Sequence, residues 1–454
     1  MSSLKPSLLS CAVAFCSLPV MASGSYDSFI SDAKIDGKVQ TVFFNDENTT
    51  TDETSGAWTG AVWLNAQTGY LADFVSVGGS AYRVAKLDMK SGNTKDFSWE
   101  NASSDLLNRQ NEGFGKLGQI WADFKLPESY DGVSANVKIG RQLVETGLIT
   151  ISGSRSIPSA WQGVDANVEM DGFKGKIAWL NEVSRRTQSG FHHIVNEEGK
   201  KIDWVMGMQL GYTFELANQR SLELQYRNGL ADNYLNAHNG NVWFKMPLYD
   251  GSELTLGGMY FYAKQDGDLW GTDERDGSFD NKAESGNLNA TLNSGPWTFN
   301  AAFNYTKANT ASSAESNGYH AIGYYNYYFG ANTQGVWDVP TSAIVSDFNF
   351  NKEKAWLIGA EYDFSSVGIE GLSLGYTFFY GSGMKAKLVN GGEKDVAEHE
   401  HDLTMKYNFS HWGMKGLDFK LQYGYYKNDE AFRQAADMPE AKNLRAWLSY
   451  NFAI

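Results

Sequence analysis

The chain has 454 residues and a formal net charge of −15. An acidic balance of this size argues against nucleic acid as a partner. Both cysteines lie within residues 1–22, where a lysine, an apolar run and the small residues before position 22 predict a secretory signal peptide. The remaining segment, 23–454, is expected to form one domain without disulfides, cysteine metal sites or a cysteine nucleophile.

The strongest structural signal is the alternation of apolar and polar residues. In Lys201–Leu216 every even position is apolar and almost every odd position is polar or small, which predicts a β-strand with two unlike faces. Many such segments are close to the length of about 9–11 residues that a tilted strand needs to cross a bilayer, whereas soluble sandwiches usually have strands of about 5–6. The predicted strands are 34–44, 57–67, 74–86, 117–126, 133–141, 163–170, 173–182, 201–216, 220–229, 238–246, 252–264, 285–293, 297–306, 353–364, 370–381, 400–409, 416–426 and 442–452.

The links between these segments alternate between short and long. With 47 Gly and 24 Tyr, the composition suits tight turns and aromatic girdles. Closing the sheet on itself pairs every backbone group within lipid. We therefore predict an all-β fold, a transmembrane antiparallel β-barrel of about 18 strands with inward-folded long loops. The long links include 87–116, 142–162, 265–284 and 307–352.

The long link 142–162 has lost the alternation of the strands on either side. It mixes aliphatic side chains with small polar residues, and Arg141 and Arg155 lie at its start and within it. A solvent-exposed loop rarely carries so many aliphatic residues. We predict that this loop folds back into the lumen of the barrel. A partly apolar surface loop is the alternative that the segment alone leaves open.

Several short motifs, in order along nearly the whole chain after residue 22, resemble the OprD family of substrate-specific outer-membrane porins. The resemblance implies an eighteen-stranded barrel that is narrowed by inward loops and carries a ladder of basic residues for solutes. The motifs are Phe29-Ile30-Ser31-Asp32-Ala33, LNAQTGY at 64–70, Gly153-Ser154-Arg155, Ser346-Asp347-Phe348-Asn349, and Leu444-Arg445 with Tyr450.

The resemblance places basic residues of the ladder on the inward loop and on the lumen wall. The residues of this chain that match are Ser154, Arg155, Lys420 and Arg445. An arginine can hold a substrate carboxylate through two parallel hydrogen bonds. Arg155 can equally anchor its loop to an acidic residue of the wall, such as Asp165, and the sequence leaves both roles open.

Two further basic residues, Lys138 and Arg141, lie at the exit of predicted strand 133–141. There they can line the mouth of the channel or remain ordinary solvated charges. At three inward positions where the resemblance implies arginine, the sequence has a neutral side chain, which weakens the case for a strict carboxylate preference. These positions are Gln40, Thr377 and Gln422.

No motif of a nucleophile elbow, a phosphate-binding loop or a zinc site is present in the sequence. Adjacent histidines at 192–193 cannot easily chelate one ion, and His399 and His401 alternate along a strand, so we interpret all four as loop or interface residues. We expect no catalytic residues, no bound metal and no cofactor. The aromatic side chains of 307–352 either stack on sugar rings or pack that loop onto the rim.

The function predicted from these observations is that of a porin in the bacterial outer membrane. We expect passive, substrate-selective diffusion of amino acids, small peptides and carboxylates into the periplasm. An oligosaccharide channel of the chitoporin type is the alternative, followed by a barrel enzyme and a surface-adhesion barrel. The expected partners are outer-membrane lipid and small hydrophilic solutes, and the sequence leaves open whether the protein is a monomer or a homotrimer.

Overall fold

The computed structural model describes residues 26–89, 103–126, 132–249, 251–271, 279–310, 314–335, 337 and 339–454. The predicted signal segment, 1–22, lies outside these ranges. Within them the backbone forms eighteen long strands. They are β1 (Lys34–Asn48), β2 (Ala57–Gln67), β3 (Val75–Met89), β4 (Phe114–Lys125), β5 (Val133–Gln142), β6 (Ala160–Met170), β7 (Phe173–Ser184), β8 (Val205–Leu216), β9 (Arg220–Ala231), β10 (Leu235–Pro247), β11 (Glu253–Gln265), β12 (Lys282–Ser294), β13 (Trp297–Ala308), β14 (Lys354–Asp363), β15 (Leu372–Lys387), β16 (Glu393–Asn408), β17 (Leu417–Asn428) and β18 (Ala441–Ala453).

The remaining regular elements are short. Two α-helices, α1 (Tyr26–Ser31) and α2 (Glu430–Ala436), lie in the described ranges. No helix of that part of the chain is long and apolar enough to cross a membrane. Short strands in the loops are Glu53–Ser55, His192–Val195, Lys201–Ile202, Glu315–Ser316 and Tyr319–His320, and 3-10 turns are Phe364–Val367 and Phe409–Trp412.

The sheet closes on itself. Each long strand pairs antiparallel with the next, and β1 pairs with β18 from Asp36 opposite Ala453 to Asn48 opposite Ala441. Closure removes both edges of the sheet, so the ladder satisfies the backbone donors and acceptors along the wall. The prediction of a closed eighteen-stranded antiparallel barrel is confirmed. The predicted strand 201–216 is divided, because Lys201–Ile202 pairs with His192–Val195 in a loop hairpin before β8 begins.

The two ends of the barrel differ. One end has tight turns, such as Asp171-Gly172, where both residues have positive φ. At a second turn of this end, the side chain of Asp363 accepts from the amide of Ser365 at 2.8 Å and Gly368 ends the turn at φ 87°. The other end has the long loops. Those used below are L2 (90–113, described from residue 103), L3 (143–159), L4 (185–204) and L7 (309–353).

The wall has an apolar outer face and a polar inner face. Outward side chains such as Leu288 and Ile358 are 66% and 62% exposed, whereas their inward neighbours include asparagines and threonines. A continuous exposed apolar band of this extent is stable against lipid rather than water. Aromatic rings border the band. Those near the short-turn end include Trp297, Phe299 and Tyr362, and those near the long-loop end include Tyr260, Tyr305, Trp356 and Tyr380.

The closed ladder predicts that the barrel unfolds in detergent only on heating. Unheated protein should migrate faster on a denaturing gel than boiled protein, because the whole ladder must break before the chain expands. Replacing Val42 of β1 by proline should abolish this shift, since proline removes a ladder donor and clashes inside a central strand. A helical circular dichroism spectrum, or an unshifted band for the parent chain, would contradict the fold.

Candidate functional site

L3 is fastened to the wall at β1 and β2. The amide nitrogen Nε2 of Gln40 donates to the carbonyl oxygens of Ser156 at 2.7 Å and of Arg155 at 3.2 Å. The indole nitrogen of Trp63 donates to the same Ser156 carbonyl at 2.9 Å. On this wall, therefore, inward polar side chains hold the backbone of the loop, and Gln40 serves as an anchor.

The other end of L3 lies against β8 and β9. The amide of Leu148 donates to the carbonyl oxygen of Asn228 on β9 at 3.4 Å. Gly207 of β8 lies against the carbonyl of Thr146, and the Thr146 hydroxyl donates to the carboxylate of Asp165 on β6 at 2.7 Å. Gly147 has φ 64°, and a Cβ there would lie 2.1 Å from the Asn228 oxygen. Only glycine fits such a close approach. L3 thus crosses the lumen from β1 and β2 to β8 and β9, as predicted.

A buried carboxylate joins four loops where L3 crosses. Asp105 of L2 is 2% exposed, and its Oδ2 accepts from Nη2 and Nε of Arg186 at 2.8 and 3.2 Å. The same oxygen accepts from Nε2 of Gln334 in L7 at 2.9 Å. Arg186, which belongs to L4, also donates to the hydroxyl of Ser152 in L3 at 2.7 Å. We call Asp105, Arg186, Gln334 and Ser152 the loop hub.

A buried lysine supports the loop hub from the wall. Lys116 is 5% exposed. Its ammonium group donates to the carbonyls of Pro158 and Arg185 at 3.0 and 3.1 Å and to the Ser184 hydroxyl at 3.2 Å. Arg185, whose carbonyl accepts from Lys116, is itself buried. Burial lowers the pKa of its guanidinium group, and the nearby Asp105 carboxylate raises that pKa in part. Because Lys116 contacts L3 and the start of L4 together, it fixes how far the two loops enter the lumen.

Two arginines meet on one aromatic ring beside L3. The guanidinium carbon of Arg155 lies 4.6 Å from the centre of the Phe44 ring, and that of Arg445 lies 5.1 Å from it. Arg155 also donates through Nε to the carbonyl of Ser104 at 2.9 Å. Nε of Arg445 lies 3.9 Å from the carboxylate of Asp46. Cation–π contacts hold both planar guanidinium groups at the constriction.

The same arrangement continues down this wall. The ammonium group of Lys420 lies 5.0 Å from the ring of Trp447, and that of Lys38 lies 4.8 Å from the ring of Trp63. The indole nitrogen of Trp447 donates to the carbonyl of Ser154 at 3.3 Å. Cations on aromatic rings therefore form a continuous series from L3 toward the short-turn end. This series, the cation–aromatic column, comprises Arg155, Arg445, Phe44, Lys420, Trp447, Lys38 and Trp63.

Of the residues predicted for the site, Ser154, Arg155, Lys420 and Arg445 lie together at this column. Lys138 faces the lumen elsewhere, with its ammonium group 4.4 Å from the ring of Trp121.

The predicted place of Arg141 at the mouth of the channel requires a correction. It lies on the same outward face as Ile139, donates to Gln162 at 3.1 Å and covers the ring of Phe191. Lys138 and Arg141 are three residues apart in one strand, and a period of two places such residues on opposite faces.

The acidic residues that hold L7 were missed in the sequence. Oε1 and Oε2 of Glu400 accept from the amides of Val345 and Ser346 at 2.8 and 2.9 Å. Asp402 accepts from the amide of Ile344 at 3.2 Å. Alternation along β16 puts Glu398, Glu400 and Asp402 on the inward face, opposite to His399 and His401, so the pattern of the strand contained this signal.

Tyr325, Tyr327 and Phe329 of L7 pack into the loop cluster, whereas Tyr328 is 43% exposed. Tyr325 and Tyr327 are 4% and 2% exposed and meet edge to face, with their ring centres 5.7 Å apart. Phe329 continues this contact at 5.5 Å from Tyr327. The Arg227 guanidinium lies 3.4 Å from the ring of Trp337. Two interpretations of this aromatic segment were given, sugar stacking and packing of the loop, and the structure favours packing.

A sequence profile described as outer membrane porin, OprD family, matches residues 27–454. The chain belongs to this family. It is therefore a porin of the bacterial outer membrane with the character of a substrate-specific channel, as the resemblance had implied. In such barrels the tight turns face the periplasm and the long loops face outward from the cell.

Individual relatives are distant. The chitoporin of Escherichia coli (strain K12) is 22% identical over 447 residues, covering 90% of this chain and 88% of the relative. OccAB1 of Acinetobacter baumannii has a TM-score of 0.74 at 18% identity, covering 95% of this chain and 100% of that one. The structure of Pseudomonas aeruginosa OpdK with vanillate has a TM-score of 0.71 at 17% identity, covering 94% and 100%. At these identities the solved structures show the shared fold.

The loop hub predicts that Asp105→Ala loosens the constriction. Removing the carboxylate leaves the largely buried Arg186 with Ser152 but without its acidic partner, and breaking a buried pair costs about 3–5 kcal/mol. We expect larger current fluctuations in single-channel recordings and faster proteolysis of L2 and L7. Asp266→Ala removes an exposed loop aspartate and serves as the control. Equal current fluctuations in the Asp105→Ala and Asp266→Ala variants would show that the loop hub does not hold the loops.

The burial of Glu353 predicts that the attachment of L7 to the barrel wall depends on pH. It is fully buried, and burial together with the facing Glu398 carboxyl group raises its pKa well above the ordinary value of 4.5. The raised pKa belongs to the folded state. The protonated Glu353 therefore stabilises the folded loop fully below the ordinary pKa, and this stabilisation is lost as the pH rises through the raised pKa. Current fluctuations should therefore increase with pH.

The neutral variant Glu353→Gln should flatten this pH profile, whereas Glu315→Gln, in an exposed part of the same loop, should keep it. Recordings across the pH range give the measurement. Identical profiles for Glu353→Gln and the parent chain would rule out this carboxyl group as the cause.

Proposed function

We propose that this porin conducts small charged or zwitterionic nutrients, namely amino acids, small peptides and carboxylates, by passive diffusion into the periplasm. The observation that carries the proposal is the pair of arginines, Arg155 and Arg445, held on Phe44 where L3 crosses the lumen. Guanidinium groups fixed at a constriction are suited to bind a passing carboxylate briefly, and Lys420 and Lys38 offer the next positions along the wall.

Acidic side chains lie nearby on β16. Asp402 is 8% exposed and interacts electrostatically with Arg445. The neighbouring Glu400 is occupied by the backbone of L7. A solute with one ammonium and one carboxylate group would thus meet the guanidinium group of Arg445 and, beside it, the small exposed part of Asp402. Such an arrangement orients zwitterions through short-range pairing.

Oligosaccharides are the second candidate. The curated chitoporin relative supports them, and pyranose rings bind by stacking on exposed aromatic faces. In the cation–aromatic column, however, Lys38 covers Trp63 and Lys420 covers Trp447. A sugar would have to displace an ammonium group from each ring. The solved OpdK relative was crystallised with vanillate, a carboxylate, which agrees better with the charged class.

We further propose that the barrel has no catalytic activity of its own. The family and the structural relatives are channels. Purified protein in a planar lipid bilayer separates a channel from a barrel enzyme and from an adhesin. Stepwise conductance is the expected result. Hydrolysis of lipid or peptide in the absence of conductance steps would overturn the proposal.

Liposome swelling tests the substrate class. Arg155→Ala should slow the entry of small carboxylates relative to neutral solutes of equal size, by roughly tenfold or more if one charge-assisted hydrogen bond of about 1.5 kcal/mol or more is lost. Arg141→Ala removes the same side chain from the outward face and should leave the ratio unchanged. If oligosaccharides enter fastest and Arg155→Ala does not alter carboxylate entry, the oligosaccharide channel is the correct function.

A further inference from the structure

Neighbouring strands of the barrel end on the extracellular side with outward-facing lysines. Lys264 of β11 lies directly opposite Lys282 of β12. Lys354 of β14 lies opposite Tyr305 of β13, two residues from Lys307. The side chains next to them in sequence, such as Ala283 and Ala355, are buried inside the barrel, so alternation directs the lysines outward. The series is Lys264, Lys282, Lys307, Lys354, Lys385 and Lys387.

These lysines lie just beyond the outer ring of aromatic residues. Tyr305 precedes Lys307 by two positions, and Trp356 follows Lys354 by two on the descending strand. Two strand residues span about 7 Å. Aromatic girdles mark the boundary between the acyl chains and the headgroups. The ammonium groups of Lys307 and Lys354 therefore lie at the level of the lipid headgroups of the outer leaflet. Lys385 and Lys387, five and seven residues beyond Tyr380 on β15, lie farther out on the same face.

A cavity of about 360 Å³ lies at the end of this series, and it exists because β15 is longer than its neighbour. The last pair between β14 and β15 is Lys354 with Ser382, so the end of β15 beyond the register shift near Gly383 has no partner on that side. Segments of L7 approach it instead. The polar side chains that line the cavity are Asn309, Thr310, His320, Asn351, Lys352, Lys385 and Lys387.

The walls of the cavity are fixed by hydrogen bonds. Asn351 accepts from the amide of Ala308 and donates to Asn309, both at 3.1 Å. The hydroxyl of Thr310 donates to the carbonyl of Ala321 at 2.8 Å. Lys352 has φ 66°, a conformation that lysine rarely adopts. The contacts of the loop impose it, and they place the start of this side chain in a set direction.

The charges at the cavity are mainly positive. Lys385 pairs with Glu393 at 3.4 Å and with Asp395. Lys352 and Lys387 make no ion pair within the part of the chain that the structure describes; Glu393, which lies directly opposite Lys387 in the ladder, pairs with Lys385 instead. Lys385 and Lys387 alternate with Met384 and Ala386, which are buried, so the two lysines face away from the barrel axis. An anion would therefore enter this cavity from the lipid-facing side of the barrel rim.

We propose that this cavity binds the phosphate of a phosphorylated lipid headgroup in the outer leaflet. Lys352 and Lys387 supply the charge, while Lys354 extends the contact along the rim. Lys307 is already paired with Glu284 at 3.0 Å. Phosphate is an anion with several acceptor oxygens, and a few ammonium donors held around it satisfy them. Basic clusters at the membrane surface attract anionic lipid. In a chain of net charge −15, a lysine group at headgroup level, with its own cavity, gives the barrel a fixed lipid neighbour.

The test uses the whole barrel in detergent and a bisphosphorylated lipid A as the probe, with its dephosphorylated form and inorganic phosphate as separate arms. We expect the phosphorylated lipid to bind the parent chain more tightly than the dephosphorylated lipid. The double variant Lys352→Gln with Lys387→Gln should weaken that binding by roughly tenfold or more, since each lysine near an anionic surface is worth about 1 kcal/mol. Equimolar inorganic phosphate should not displace the lipid.

The control variant is Lys34→Gln with Lys415→Gln, which removes two exposed lysines from the periplasmic end and should bind like the parent chain. Lys352→Arg with Lys387→Arg should retain binding, which separates loss of charge from loss of folding. Native mass spectrometry reports the occupancy. Equal binding of the two lipids, equal binding by the two glutamine variants, or displacement by inorganic phosphate would each overturn the lipid site.

Discussion

The shape of this channel depends on one buried carboxylate. Asp105 contacts L4 and L7 directly and reaches L3 through Arg186. A buried charge is costly unless it is paired and hydrogen-bonded. Here the cost is offset only when these loops occupy their places together, because each supplies part of the polar shell. The loops are therefore coupled, and the constriction forms as one unit rather than loop by loop.

That coupling determines where the cations of the lumen lie. L3 is anchored to Gln40 and Trp63 on one wall and to Asn228 on the other, so Arg155 has little freedom along the channel. Its guanidinium group meets the same Phe44 ring as Arg445, although one belongs to a loop and the other to β18. A wall arginine and a loop arginine can share a ring only if the loop enters to a fixed depth, which the hub and Lys116 provide.

The barrel could be predicted from the sequence because it depends on a local rule. Side chains of a strand alternate between lipid and lumen, so period two and strand length suffice to indicate the wall. The same rule, applied strictly, would have placed Arg141 outside and the acids of β16 inside. The loop hub could not be predicted in this way. Asp105 and Gln334 are separated by 229 residues, and no periodicity connects them.

The resemblance to the family likewise indicated positions rather than roles. Gln40 stands where an arginine of the ladder was implied, and its amide holds two carbonyls of L3. An amide can donate to a backbone carbonyl without bringing a charge into a buried contact, so Gln40 has a structural contact at this position. On β16, acidic side chains hold L7 by accepting from its amides. In this lumen the carboxylates serve mainly the architecture, whereas the cations beside L3 are presented on aromatic rings. The net charge of the chain therefore says little about which solutes the constriction selects.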